Sequence, residues 1–202
     1  MHKTLLSLIF IFLIFGCSSP QSLTLEDGDI VFQDSPSSQS QAIKLATNSE
    51  YSHMGIVYNK NGKSYVYEAV GSVEATPLEH WVLNGIGKHY VVKRLKDKTT
   101  LNSSILKRME TVARDFSKKP YDALFEWSDS KIYCSELVWK IYKRGANIEL
   151  GTLKKLKSFN LTHPVVQEKL KERYGDNIPF EEKVIDPQGI FDSDLLETVY
   201  ER

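Results

Sequence analysis

Residues 132–139 read IYCSELVW and place Cys134 at the start of an amphipathic helix that Gly145 is predicted to end. The apolar residues that recur at helical spacing are Leu137, Val138, Ile141 and Tyr142. Cys134 falls on the same face, so its thiol is predicted to point into the fold near a helix N-terminus. The unpaired N–H groups and the helix dipole there favour the thiolate, the form that a nucleophile needs. A buried structural cysteine is the alternative interpretation.

Composition indicates one globular domain with no nucleic-acid partner. The chain has 202 residues, of which 41% are hydrophobic and 11% aromatic, enough to fill one sizeable core. Acidic and basic residues number 26 each, and there is no dense run of lysine and arginine. Such a neutral chain is not typical of nucleic-acid-binding proteins.

The amino terminus resembles the signal peptide of a bacterial lipoprotein. The apolar run Leu5–Phe15 is shorter than the roughly 20 residues that span a bilayer. It leads into GCSS, which is similar to a lipobox and implies that Cys17 becomes the lipidated first residue of the mature protein. We therefore predict a signal peptide at 1–16, a tether at 17–26 and a lipid anchor to a membrane of the bacterial cell envelope. Ordinary secretion with cleavage nearby is the alternative.

The cysteine count supports a catalytic role for Cys134. Only two cysteines are present, so lipidation of Cys17 would leave Cys134 without a partner in an exported compartment. A lone reduced thiol outside the cytoplasm is most simply explained by catalysis. Because one cysteine and scattered histidines show no zinc-ligand spacing, we predict no metal and no cofactor.

A β-hairpin is the clearest structural signal in the sequence. The strand-like runs 52–58 (SHMGIVY) and 64–70 (SYVYEAV) flank Asn61-Gly62, and Asn-Gly is the strongest short-range hairpin signal. Further predicted elements are strands at 27–33, 73–76 and 89–95, helices at 37–47, 77–81, 103–116 and 165–174, and an extended segment at 185–191.

The register of this hairpin brings a histidine and a carboxylate together. Counting back from the turn sets Gly55 opposite Glu68 and His53 opposite Val70. Cross-strand partners share a face of the sheet, and so do residues two apart, which makes His53 and Glu68 diagonal neighbours. A slip of one residue would separate them.

A cysteine on a helix, a histidine on a strand and a carboxylate beside that histidine are the three parts of a thiol hydrolase. We expect Cys134 to attack a carbonyl, His53 to carry the proton to the leaving group and Glu68 to orient His53. The backbone N–H of Cys134 is the first candidate oxyanion donor. Tyr51 and Tyr133 are the candidates for the second.

Five motifs arrive in an order that resembles a known family. They are Asp27-Gly28-Asp29-Ile30, Tyr51-Ser52-His53 to Gly55, Tyr67-Glu68-Ala69, Lys119-Pro120-Tyr121-Asp122 and Tyr133-Cys134-Ser135-Glu136. Together they resemble the YiiX/YebB-like cysteine hydrolases, a circularly permuted branch of the NlpC superfamily with a papain-like fold. The resemblance implies an α+β permuted papain-like domain at 27–202 whose Cys, His and Glu are Cys134, His53 and Glu68. It also implies cleavage of an amide bond in a peptide or acyl-amide substrate.

Two other functions remain open at this point. A lipid acyltransferase or phospholipase, like the lecithin:retinol acyltransferase group, would have the same permuted fold, although that group has a second histidine where this chain has Glu68. A non-catalytic, lipid-anchored binding domain would keep the scaffold without the reaction.

Overall fold

The computed structural model describes residues 24–202, so the predicted signal peptide, Cys17 and most of the predicted tether lie outside the described residues. Eight strands are present in this part of the chain: β1 (Ile30–Gln33), β2 (His53–Lys60), β3 (Lys63–Val70), β4 (Ser72–Pro77), β5 (Val91–Leu95), β6 (Lys154–Lys155), β7 (Lys183–Val184) and β8 (Leu196–Glu201). Six of them form an antiparallel sheet in the order β4-β3-β2-β1-β5-β8, and β6 pairs with β7.

The helices of the described residues are α1 (Ser38–Thr47), α2 (Leu78–Leu83), α3 (Ser103–Phe116), α4 (Cys134–Ile141), α5 (Pro164–Tyr174) and α6 (Pro187–Phe191). The helices predicted at 37–47, 103–116 and 165–174 are confirmed as α1, α3 and α5. The extended segment predicted at 185–191 is wrong, because α6 forms there. The Asp186 carboxylate accepts a hydrogen bond from the Gly189 N–H at 3.0 Å, and Pro187 suits the first turn of a helix.

The predicted hairpin register is confirmed. β2 and β3 pair from Lys60 with Lys63 back to Ile56 with Tyr67, the register counted from the Asn-Gly turn. Gly55 allows the two strands to come this close. A Cβ atom there would lie 2.4 Å from Val66 Cγ1 and 2.8 Å from the Tyr67 carbonyl oxygen.

The sheet buries apolar residues on both faces. On one face Met54 and Ile56 of β2 belong to the main core, which includes Leu137 and Val138 of α4. On the other face Val57 belongs to a smaller core built around Trp81 of α2, together with Val31, Val66, Tyr90 and Val92. The mixture of helices and an antiparallel sheet is an α+β fold. Between residues 24 and 202, no helix combines the length and the apolar character needed to cross a bilayer.

Candidate active site

Cys134 is the first residue of α4, and its neighbours in sequence fix the start of the helix. Its side chain is free and buried. The Ser135 hydroxyl donates to the Ile185 carbonyl at 2.8 Å, and the Tyr133 hydroxyl accepts from the Ile185 N–H at 3.2 Å. The residues on both sides of Cys134 are therefore attached to the same point of the carboxy-terminal segment.

His53 and Glu68 form a buried pair, as the hairpin count predicted. Nε2 of His53 lies 2.5 Å from Oε2 of Glu68, and both side chains are less than a tenth exposed. The Thr76 hydroxyl donates to the other oxygen, Oε1, at 2.5 Å. Thr76 lies on β4 opposite Val66, diagonal to Glu68, so the same count applied to the β3–β4 pair would have identified it.

His53 stands at the end of the sheet, close to the N-terminus of α4. It is the first residue of β2 and packs beside Trp81, with 6.2 Å between ring centroids. Burial by itself lowers the pKa of His53. Hydrogen bonds with Cys134 and Glu68 outweigh burial, and the pKa is raised from 6.5 to about 10. Since Nε2 meets Glu68, the ring nitrogen left for Cys134 is Nδ1.

Tyr121 lies between the histidine strand and the cysteine helix. Its N–H donates to the Gly71 carbonyl at 2.8 Å, at the turn between β3 and β4, and the next residue, Asp122, donates to the Ile132 carbonyl at 3.1 Å. Burial, followed by the nearby Cys134, raises the pKa of Tyr121 above its usual range, although a hydrogen bond from Gln39 opposes the shift. The hydroxyl therefore keeps its proton.

Tyr51 and Tyr133 are the sequence candidates for a second oxyanion donor. Tyr51 packs on Phe191, with 4.7 Å between ring centroids, and borders neither of the cavities beside Cys134 and His53. Tyr133 lines the apolar cavity beside Cys134, and its hydroxyl accepts a hydrogen bond from the Ile185 N–H, so its own proton is not used in that bond. Tyr121 belongs to the motif Lys119-Pro120-Tyr121-Asp122, but the sequence carries no signal for its role, because its position depends on contacts of loop 117–133 with the sheet.

Two cavities that differ in polarity meet at this site. An apolar cavity of about 80 Å³ borders Cys134, and its other lining residues are Ile43, Ala46, Thr47, Tyr121, Phe125, Tyr133, Ser135, Leu156, Phe159, Leu161, Val184, Ile185, Asp186 and Pro187. A more polar cavity of about 200 Å³ borders His53, and its other lining residues are Ser35, Ser37, Gln39, Ser40, Ile43, Ser52, Ala69, Val70, Gly71 and Tyr121. Tyr121 and Ile43 line both cavities.

Comparison with known protein families identifies the family of this chain. The model of a family described as permuted papain-like amidase enzymes, YaeF/YiiX, C92 family, matches residues 24–200. The chain belongs to this family. Members of the YaeF/YiiX family are permuted papain-like amidases, so the chain is a hydrolase of the cysteine amidase or peptidase class. Its fold is the permuted papain-like fold that the sequence motifs predicted.

Two relatives within the YaeF/YiiX family are similar over most of the chain. The uncharacterized protein YiiX of Escherichia coli K12 is 48% identical over 174 residues, which cover 86% of this chain and 85% of the relative. A crystal structure described as metalloprotein yiiX from Escherichia coli O157:H7 has a TM-score of 0.84 and 48% sequence identity, and the match covers 88% of this chain and 97% of that one.

Because that crystal structure is described as a metalloprotein, we asked whether the residues of this chain could hold a metal ion. Within residues 24–202 no group of three or more His, Cys, Asp or Glu side chains is arranged to hold a metal ion. This finding and the description of the relative point in different directions. The absence of a metal remains a prediction.

Proposed function

We propose that the chain hydrolyses amide bonds through a Cys134–His53–Glu68 triad. One observation carries the proposal: Nε2 of His53 is hydrogen-bonded to Glu68 at 2.5 Å, and Cys134 is close enough to the same ring to raise its pKa. A nucleophile, a base and a carboxylate that orients the base are the requirements of thiol-dependent hydrolysis.

We propose that the reaction begins from an imidazolium–thiolate pair, since a His53 pKa of about 10 keeps the ring protonated at neutral pH and a helix N-terminus favours a thiolate. The sulfur adds to the substrate carbonyl carbon, and the carbonyl oxygen becomes an oxyanion. The N–H of Cys134 and the hydroxyl of Tyr121 donate hydrogen bonds to it. The C–N bond then breaks as His53 gives its proton to the leaving nitrogen, and a thioester remains. His53 next takes a proton from water, whose oxygen attacks the thioester and releases the carboxylic acid and the thiolate.

We propose that each half of the substrate binds in one of the two cavities. The leaving amine has to lie on the side of His53, because His53 protonates it, and the acyl group then lies on the other side of the sulfur. The cavity there borders Cys134 without His53 and is almost entirely apolar. Its volume of about 80 Å³ compares with the roughly 150 Å³ of a cavity that holds benzene, so it suits a short aliphatic chain or the first part of a longer one. We propose an amide with an apolar acyl group as the substrate class.

The same apolar cavity favours a second candidate, the transfer or hydrolysis of a lipid ester. A thiolate attacks esters and amides through the same intermediate, so the site does not exclude an ester. Comparing p-nitrophenyl butyrate with butyryl-p-nitroanilide on the purified protein separates the two candidates. Turnover of the ester without turnover of the anilide would favour the lipid enzyme.

We also propose that the enzyme acts at the bacterial cell envelope, lipid-anchored through Cys17. The support is the sequence alone: a short apolar run that ends in a lipobox-like GCSS. An apolar acyl substrate near a membrane is consistent with such an anchor.

Alkylation of Cys134 tests the triad directly. Iodoacetamide labelling, followed by mass spectrometry of the peptide that contains Cys134, is expected to slow about tenfold or more at neutral pH in His53→Ala, because the imidazolium partner of the thiolate is lost. Cys134→Ala is expected to abolish turnover of both butyryl substrates. Equal labelling rates in wild type and His53→Ala would remove the base from the mechanism.

A further inference from the structure

We infer that Gln39 is a positioning residue that aims the Tyr121 hydroxyl proton at the oxyanion, an inference that rests on the proposed function. Nε2 of Gln39 donates to the Tyr121 hydroxyl oxygen at 2.7 Å across 82 positions of sequence. An amide nitrogen can only donate, so the phenol oxygen accepts this bond and its own proton must point elsewhere. Within residues 24–202 the Tyr121 hydroxyl has no other hydrogen bond.

The helix that carries Gln39 is fixed relative to His53. Asp34 accepts hydrogen bonds from Lys44 of α1 at 2.5 Å and from the Ser52 hydroxyl at 3.0 Å. Ser52 directly precedes His53, so this carboxylate joins α1 to the start of the histidine strand. Gln39 therefore reaches Tyr121 from a support that also holds the base.

The hydrogen bond also strengthens Tyr121 as a donor. Burial and the nearby Cys134 keep the phenol protonated, because they raise its pKa above the usual range. A hydroxyl that accepts one hydrogen bond polarises and becomes a better donor in the next. Gln39 would thus act on the transition state through Tyr121, without touching the reacting atoms.

Two substitutions distinguish the effect of this hydrogen bond's direction from the effect of Gln39 packing. Gln39→Ala removes the bond and is expected to lower the acylation rate roughly three- to tenfold, the effect of one neutral hydrogen bond, with little change in KM. Gln39→Glu keeps the shape but reverses the bond, because a carboxylate accepts the tyrosine proton. It is expected to slow acylation at least as much as Gln39→Ala.

The readouts are the burst of p-nitrophenolate from p-nitrophenyl butyrate and the rate of iodoacetamide labelling of Cys134. Only the first forms an oxyanion, because alkylation displaces iodide without adding to a carbonyl. The burst is therefore expected to slow in both Gln39 variants while labelling stays unchanged. Gln41→Ala is the matched control, since Gln41 lies exposed on the same helix. In a Tyr121→Phe background, Gln39→Ala is expected to have no further effect.

The outcomes distinguish this inference from the function on which it rests. A normal burst in Gln39→Ala, or a Gln39→Glu variant that behaves as wild type, would overturn the inference if Tyr121→Phe is impaired. An equal fall in burst and labelling would make Gln39 a structural residue instead. A normal burst in Tyr121→Phe would remove the tyrosine from the mechanism. No turnover of either butyryl substrate by wild type would refute the proposed function, and the inference with it.

Discussion

Two opposing effects set the pKa of His53 and therefore its charge. Burial disfavours the imidazolium, and the hydrogen bonds with Cys134 and Glu68 favour it strongly enough to raise the pKa to about 10. Neither neighbour is exposed, so water does little to screen the interactions. The charge of the ring is therefore set by its two partners.

Glu68→Gln tests the carboxylate's part in this balance. The substitution keeps the size of the side chain and removes its charge, so the pKa of His53 is expected to fall and the imidazolium to be lost at a lower pH. Acylation by p-nitrophenyl butyrate is expected to slow roughly 10²- to 10⁴-fold, as when a triad loses its orienting acid. Measuring the acylation rate and the rate of iodoacetamide labelling of Cys134 across pH checks the prediction. Thr76→Val is the milder control, because it removes only the hydrogen bond to Oε1 of Glu68. An unchanged pH profile in Glu68→Gln would contradict it.

The sequence predicted one part of the site because that part is local. His53 and Glu68 are joined by a tight Asn-Gly turn, and the pleat of a hairpin fixes which residues share a face. Tyr121 and Gln39 were not predicted in these roles. Their contact spans 82 positions and depends on how loop 117–133 crosses the sheet, which no periodicity reports.

At the scale of whole elements, local signals identified helices better than the carboxy-terminal strand. α1 was predicted from a serine cap and α3 from an apolar stripe, and Ser37 does cap α1. The cap of α3, Asn102, was not predicted. α6 was missed because Pro187 and a five-residue length hide helical periodicity. β8 was missed because its stability comes from pairing with β5 at the sheet edge, a long-range contact.

Helix α4 also contains a buried ion pair, which begins two residues after Cys134. Glu136 is fully buried, and its Oε1 lies 2.7 Å from Nζ of Lys140, which also donates to Asp129 at 2.8 Å. Burial raises the pKa of Glu136 to about 7, although Lys140 opposes the shift. Since the folded protein binds this proton more tightly than the unfolded chain, the stability from this group is complete below about 4.5 and is lost as the pH rises through about 7.

Glu136→Gln is therefore expected to change how stability depends on pH. The free energy of unfolding of wild type, relative to that of the variant, should fall between about pH 4.5 and pH 7 and level off above, because only wild type has this proton to lose. Urea denaturation at several pH values measures it. Glu110→Gln, at an exposed position on α3, is the matched control and should show no such trend. Parallel curves for wild type and Glu136→Gln would contradict the prediction.

The molecule as a whole brings its site together from distant parts of the chain. The proposed base and its carboxylate come from the hairpin β2–β3 and the proposed nucleophile from α4, so histidine precedes cysteine in the sequence. The apolar cavity draws its lining from positions between Ile43 and Pro187. This explains why the sequence indicated the reaction but not the shape of the substrate.

The predicted tether, residues 17–26, would reach at most about 36 Å when fully extended, so an anchored enzyme would work close to the membrane.

The two cysteines permit a reciprocal test of the anchor at this scale. Cys17→Ser, expressed in a bacterium that processes lipoproteins, is expected to move the protein from the membrane to the soluble fraction and to abolish incorporation of labelled palmitate, because the acceptor thiol is lost. Turnover of p-nitrophenyl butyrate should be unchanged, since residue 17 lies outside the domain that holds Cys134 and His53. Cys134→Ser should do the reverse, keeping the label and the membrane fraction while losing turnover. A Cys17→Ser protein that stays in the membrane and still takes up palmitate would show that the anchor lies elsewhere, whereas a soluble, unlabelled wild type would indicate ordinary secretion.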